Sequence, residues 1–187
     1  MHRSRLAPLL FGAVLALGGC ATSGLAGTQP PADAPRALPA QGPVDVSWAD
    51  PATFSETRIT AGHQAAQGDW LQDLARYMRR QAERRLPPGD TLQITILDIQ
   101  RAGQYEPWHG PNLQDARIVR DLYPPRMTVR FRQLDAGGKV VAEGERKLVD
   151  PAFMQGILPG DGDPLRYEKA LVDGWLRREF PADRAPG

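Results

Sequence analysis

The chain has 187 residues, with 23 Lys and Arg against 22 Asp and Glu and a formal net charge of +1. That balance excludes bulk attraction to nucleic acid, and no nucleic-acid partner is expected. The one cysteine, Cys20, excludes an internal disulfide and any zinc site built on several thiolates.

In chain order, Met1 to Arg5 carries Arg3 and Arg5 and no acid, and Leu6 to Leu17 is an apolar run of 12 residues. Such a run is too short to cross a bilayer, which takes about 20 residues, but it suits a signal peptide. Leu17-Gly18-Gly19-Cys20 then resembles the lipobox of bacterial lipoproteins. The resemblance implies cleavage between Gly19 and Cys20 and fatty acylation, palmitate included, of Cys20. Each buried acyl methylene contributes about 0.8 kcal/mol, so two or more chains hold the protein on the membrane. Ala21 follows, where an aspartate would resemble an inner-membrane retention signal. The expected address is therefore the outer membrane, with the rest of the chain facing the periplasm. Loss of residues 1–19 removes Arg3 and Arg5, leaving 21 basic against 22 acidic side chains.

Residues 20–43 are rich in Ala, Gly and Pro and read as a lipidated cysteine followed by a flexible spacer. A single α+β domain is expected over 44–181, with 182–187 as a disordered tail. Val44 to Trp48 alternates as a half-buried strand ending at Asp50-Pro51. Ala52 to Gln67 is ambiguous, anchored by Phe54 and Ile59. Asp69 to Leu86 is an amphipathic helix, with Asp69 as cap, Gln72 at the capping-box position and Pro87-Pro88-Gly89 as the stop. Leu71, Leu74, Met78 and Ala82 form its apolar face. Arg76, Arg80 and Arg84 form a stripe on the other side, with Arg79 and Arg85 beside it.

Thr91 to Ile99 is the strongest strand pattern, with Asp98 continuing its apolar side. Arg101 to Pro111, with two glycines, two prolines, Tyr105 and Trp108, reads as neither helix nor strand but as a loop pinned by its aromatics. Arg117 to Tyr123 is a possible extra strand. Met127 to Arg132 and Lys139 to Val149 form a hairpin around Asp135-Ala136-Gly137-Gly138. Gly144 predicts a hole opposite a large side chain, or a bulge. Glu145-Arg146-Lys147 and Arg166-Tyr167-Glu168-Lys169 read as exposed charge clusters, the first able to blunt a sheet edge. Asp163-Pro164 opens a last helix, with Leu165, Leu171, Val172, Trp175, Leu176 and Phe180 facing inward. The order predicts a mixed sheet of four to five strands with two helices on one face. Its first two strands should be parallel and its hairpin antiparallel.

Val46-Ser47-Trp48-Ala49-Asp50-Pro51, Leu97-Asp98-Ile99, Ala102-Gly103, Glu106-Pro107-Trp108, Asp121-Leu122-Tyr123-Pro124-Pro125, Gly144-Glu145-Arg146-Lys147-Leu148 and Asp163 to Lys169 together resemble the domain of unknown function 3016 family. That resemblance covers nearly all of Val44 to Phe180. It implies an exported or lipid-anchored envelope protein with one domain, and it carries over no catalytic residue.

No metal or cofactor motif is present, and no nucleophile signature or phosphate loop. The expected role is a non-catalytic binding or scaffolding module. Its surface would comprise Arg76, Arg80, Arg84, Tyr105 and Trp108, and its partner would be an envelope protein or an anionic lipid or polysaccharide. The alternative is a metal-dependent or acid/base hydrolase using Asp98, Glu106 and His109, two carboxylates and an imidazole.

Overall fold

A computed structural model describes residues 35–60, 69–106, 108, 116–155 and 162–181. The signal segment, Gly19, Cys20, most of the spacer, His63, His109 and the 182–187 tail lie outside these residues.

The elements run β1 (Val44–Trp48), a 3₁₀ turn (Pro51–Thr53), α1 (Ser55–Ile59), α2 (Trp70–Glu83), β2 (Thr91–Gln100), β3 (Gln104–Tyr105), β4 (Arg117–Ile118), β5 (Arg126–Leu134), β6 (Val140–Val149) and α3 (Arg166–Glu179). Four strands form one mixed sheet in the order β1-β2-β5-β6. As expected, β1 and β2 are parallel, Val44 opposite Leu92 through Trp48 opposite Ile96, and the other pairs are antiparallel. The extra strand predicted near residue 117 does not join this sheet. It is β4, two residues long, paired with β3 in a separate ladder. The loop predicted from residue 101 thus contains a short strand at Gln104–Tyr105.

Strand alternation decides which face is covered. Val44, Val46 and Trp48 of β1, Leu92, Ile94 and Ile96 of β2, and Met127, Val129 and Phe131 of β5 are buried in one core with α2 and α3. Each such aliphatic side chain contributes roughly 1.5–3 kcal/mol by leaving water. All six inward residues predicted for α3 and its flanks are buried. Phe131, Trp175 and Phe180 meet edge to face, with ring centroids 5.6–6.0 Å apart. α2 and α3 are also tied by the Tyr77 hydroxyl, which donates to Asp173 (2.7 Å). Burial, then this bond, push the Tyr77 phenol up to about 12. The opposite sheet face is polar, with exposed Gln93, Arg130, Arg132, Glu143, Glu145 and Lys147.

Several local expectations are corrected. Residues 36–39, assigned to the spacer, lie along β1. Ala37 bridges Ser47, Leu38 is in the core, and the Pro39 carbonyl accepts from Arg79 (2.9 Å). Arg79 is therefore buried and does not flank a solvated stripe. Asp69 precedes α2 without a side-chain cap, and Gln72 instead accepts from Arg76 (2.9 Å). Asp163 caps a turn ahead of α3, accepting from the Leu165 N–H (2.9 Å) and from Lys169, and the helix begins at Arg166. Burial raises the Asp163 carboxyl, but Lys169 and the Leu165 N–H more than offset it and hold it below the usual range.

Gly144 stands opposite Phe131, as its missing side chain predicted. The Arg146 guanidinium fills the space, 5.1 Å from the Phe131 ring centroid and bidentate on Glu179 (2.8 Å to each oxygen).

Candidate functional site

The sequence places its candidate chemistry just past the C-terminal end of β2, and there the strand changes phase. Its pairing with β5 slips between Ile96 and Asp98. After this bulge Ile99 is buried and Asp98 leaves the apolar row it was expected to continue. Its carboxylate accepts from the Ser55 N–H (2.6 Å) and the Ser55 hydroxyl (2.7 Å). α1 has no side-chain cap of its own, so Asp98 caps it from 43 residues away. Asp98→Ala is expected to lower unfolding free energy by about 0.5–2 kcal/mol, the value of an N-cap, read as a lower urea midpoint at constant slope.

Beyond Gln100 the backbone turns through Arg101, Ala102 and Gly103, and two helices reach in to hold it. Glu56 of α1 accepts the Arg101 N–H (2.9 Å), and Glu168 of α3 accepts the Ala102 N–H (2.7 Å). Both side chains are about 1% exposed. Gly103 takes a φ of +85° and donates to the Tyr123 carbonyl (3.0 Å). A Cβ there would lie 2.8 Å from the Ile118 carbonyl oxygen, so the close approach of β4 requires glycine.

Arg117 closes the assembly. One arm of its guanidinium pairs with the second oxygen of Glu56, and the other donates to the carbonyls of Ala102 and Gly103 (3.2 Å each). Its plane lies over the Tyr105 ring, 5.2 Å from the centroid. Glu106 is buried and accepts from Arg120 (2.8 Å) and from the Tyr123 hydroxyl (2.9 Å). The hydrogen bond to Glu106 raises both the Tyr123 phenol and the Arg120 guanidinium above their ordinary values. Arg101 reaches the Pro164 carbonyl (3.2 Å) and stacks over Trp70 (5.4 Å). The result is a buried knot joining α1, α2, α3, the end of β2 and the β3-β4 ladder.

These bonds decide what the carboxylates can do. Asp98 and Glu106, offered as an acid/base pair, are each held by separate partners, and His109 lies outside the described residues. Among the described residues no three His, Cys, Asp or Glu side chains gather as metal ligands. Glu168 is the one knot carboxylate with an oxygen, Oε2, lacking a hydrogen-bond partner among the described residues. Burial raises its pKa, opposed by the Ala102 N–H and Arg101 and reinforced by Glu56.

The predicted binding residues divide. Tyr105 is buried beneath Arg117 and presents no surface, whereas Trp108 is 66% exposed. Arg76, Arg80 and Arg84 are all exposed. Arg76 pairs with Asp73 (2.9 Å), while Arg80 and Arg84 make no ion pair among the described residues. Comparison with protein families matches residues 42–178 to the family described as protein of unknown function (DUF3016). The chain belongs to the DUF3016 family. No curated protein and no solved structure matches it. The knot gives the DUF3016 resemblance a physical content: Asp98, Ala102-Gly103, Glu106 and Tyr123 of the quoted words are its members. Glu168, within the quoted Asp163 to Lys169, is another, and Glu56 and Arg117 complete it without having been singled out.

Proposed function

We propose that this DUF3016 protein is a non-catalytic envelope lipoprotein, anchored at the outer membrane through Cys20, whose domain binds an anionic component of the envelope. One contrast supports this reading: the arginines of the knot are engaged in the fold, while Arg80 and Arg84 are exposed without acidic partners among the described residues. Three arginines at i, i+4 spacing present a row of bidentate donors suited to phosphate or carboxylate groups. The stripe crosses one turn of α2 per step and sits opposite that helix's buried face. A chain held near a surface needs little affinity per contact, because the tether raises the local concentration of whatever lies there.

The test is recovery of the full lipidated protein from detergent-solubilised envelopes, with identification of what accompanies it. Wild type is expected to retain an acidic partner or anionic lipid that Arg76→Glu/Arg80→Glu/Arg84→Glu loses, by about tenfold or more, with the same loss on raising salt. An unchanged set of companions in the triple variant would sink the stripe as the binding surface.

A further inference from the structure

β6 is an edge strand of ten residues, with β5 on one side and no strand on the other among the described residues. An open edge is a template for another strand, and charges there usually discourage pairing. The charges of β6 have a more particular order. Its open-face side chains are Val141, Glu143, Glu145, Lys147 and Val149, a sequence that matches its own reverse about Glu145 except that acid faces base.

We propose that β6 pairs antiparallel with β6 of a second copy, about a two-fold axis at Glu145. In that register each Glu143 meets a Lys147 and each Val141 meets a Val149, twice over. Val141 and Val149 are 50% and 47% exposed, unusual for β-branched residues on an otherwise charged face, and pairing covers both. Lys147 makes no ion pair among the described residues and has Thr128 beside it on β5. The partner's Glu143 is the acid it lacks. The two Glu145 carboxylates meet on the axis, each already matched by Arg130 of its own sheet (3.2 Å), and Glu143 likewise has Arg132 behind it (3.5 Å). Two rows of alternating charge, Lys147 to the partner's Glu143 to the partner's Arg132, would then flank the axis. Slipping the pair one way sets Glu143 against Glu145, and slipping it the other sets Glu145 against Lys147 but Glu143 against Val149 and Val141 against Pro151. Like charges oppose the first slip, and the second leaves Glu143 against an apolar side chain and Val141 without its Val149 cover, so charge and apolar burial together favour the proposed register. The Arg146 guanidinium, which donates to the Glu145 carbonyl at this edge (3.1 Å), yields it to the incoming N–H and keeps its two bonds to Glu179. The association is isologous and closes at two copies.

Cysteine cross-linking of the full chain reads this register directly. Facing residues of an antiparallel pair have Cα atoms about 4.5–5.5 Å apart, within disulfide range. Glu145→Cys is expected to give a disulfide-linked dimer under mild oxidation. Val141→Cys, about 27 Å from its own copy at strand spacing, is not, and it controls for the native Cys20. Val141→Cys/Val149→Cys restores cross-linking. In the Glu145→Cys background, Lys147→Glu is expected to cut the linked fraction about tenfold, and Glu143→Lys added to it to restore the fraction. Linkage through Glu145→Cys no greater than through Val141→Cys overturns the proposal. So does a charge swap that leaves the dimer as weak as Lys147→Glu alone.

Discussion

Glu56→Ala is expected to lower the unfolding free energy by about 3–5 kcal/mol, as removal of one member of a buried ion pair does. Two losses combine at this position. The Arg117 guanidinium keeps its charge in a site where its side chain is only 14% exposed, and the Arg101 N–H loses its acceptor. Against a total stability of about 5–15 kcal/mol for a domain, this approaches the whole margin. Glu56→Gln should cost less, because one amide oxygen can still accept from the Arg101 N–H. Replacing both partners, as in Glu56→Leu/Arg117→Met, should not recover wild-type stability as an isolated buried pair can. Arg117 also donates to the carbonyls of Ala102 and Gly103, so the apolar pair leaves three backbone groups unmatched. Urea unfolding followed by circular dichroism measures all three variants. A Glu56→Ala protein within about 1 kcal/mol of wild type would show that the pair does not hold the loop.

The frame that carries this knot was legible in the sequence because periodicity reports burial. Leu92, Ile94 and Ile96 alternate, Leu71, Leu74 and Met78 recur at helical steps, and both patterns found their core. Periodicity is blind where an element is too short for its repeat to recur. β3 and β4 have two residues each, and α1 has five, of which only Glu56 is buried. It also misleads where phase changes: the bulge after Ile96 moved Asp98 off the face that simple alternation gave it.

Polarity misled in a second way. Glu168 stands in Arg166-Tyr167-Glu168-Lys169, and a charge run reads as solvated surface. Its position three residues before Leu171 and four before Val172 places it on the buried side of α3, a sign available in the sequence. What the sequence lacked was a partner, since the Ala102 N–H that receives Glu168 is 66 residues away. Buried carboxylates of this kind are specified by backbone donors, and backbone donors have no residue signature. The motif words that resemble the family therefore marked the right region, while the acid/base alternative came only from the residue types of Asp98, Glu106 and His109. Most of the residues behind those words position a loop, and the loop joins three helices to the end of a strand.

The stability of the wild-type protein relative to Glu168→Gln is expected to fall as pH rises. Burial disfavours the Glu168 carboxylate and raises its pKa above the unfolded value of 4.5. Between those two values the folded protein holds a proton that the unfolded chain has released. More protons bound in the folded state make unfolding free energy decrease with pH. The contribution is therefore complete below about pH 4.5, shrinks across the window, and is gone above the folded pKa. Above that pH the folded protein must hold a buried carboxylate whose Oε2 has no hydrogen-bond partner among the described residues. Glutamine keeps an oxygen for the Ala102 N–H and never ionises. Whatever its amide nitrogen costs is constant with pH and cancels from the slope. Unfolding curves of both proteins at pH 4, 6 and 8 should thus diverge, with wild type losing stability relative to the variant as pH rises. The other titrating groups are common to both proteins and drop out of the difference. A difference that stays flat from pH 4 to 8 would mean that Glu168 ionises in the fold as it does in the unfolded chain. The tie between α3 and the strand-end loop would then be an ordinary charged hydrogen bond, insensitive to the pH of the compartment.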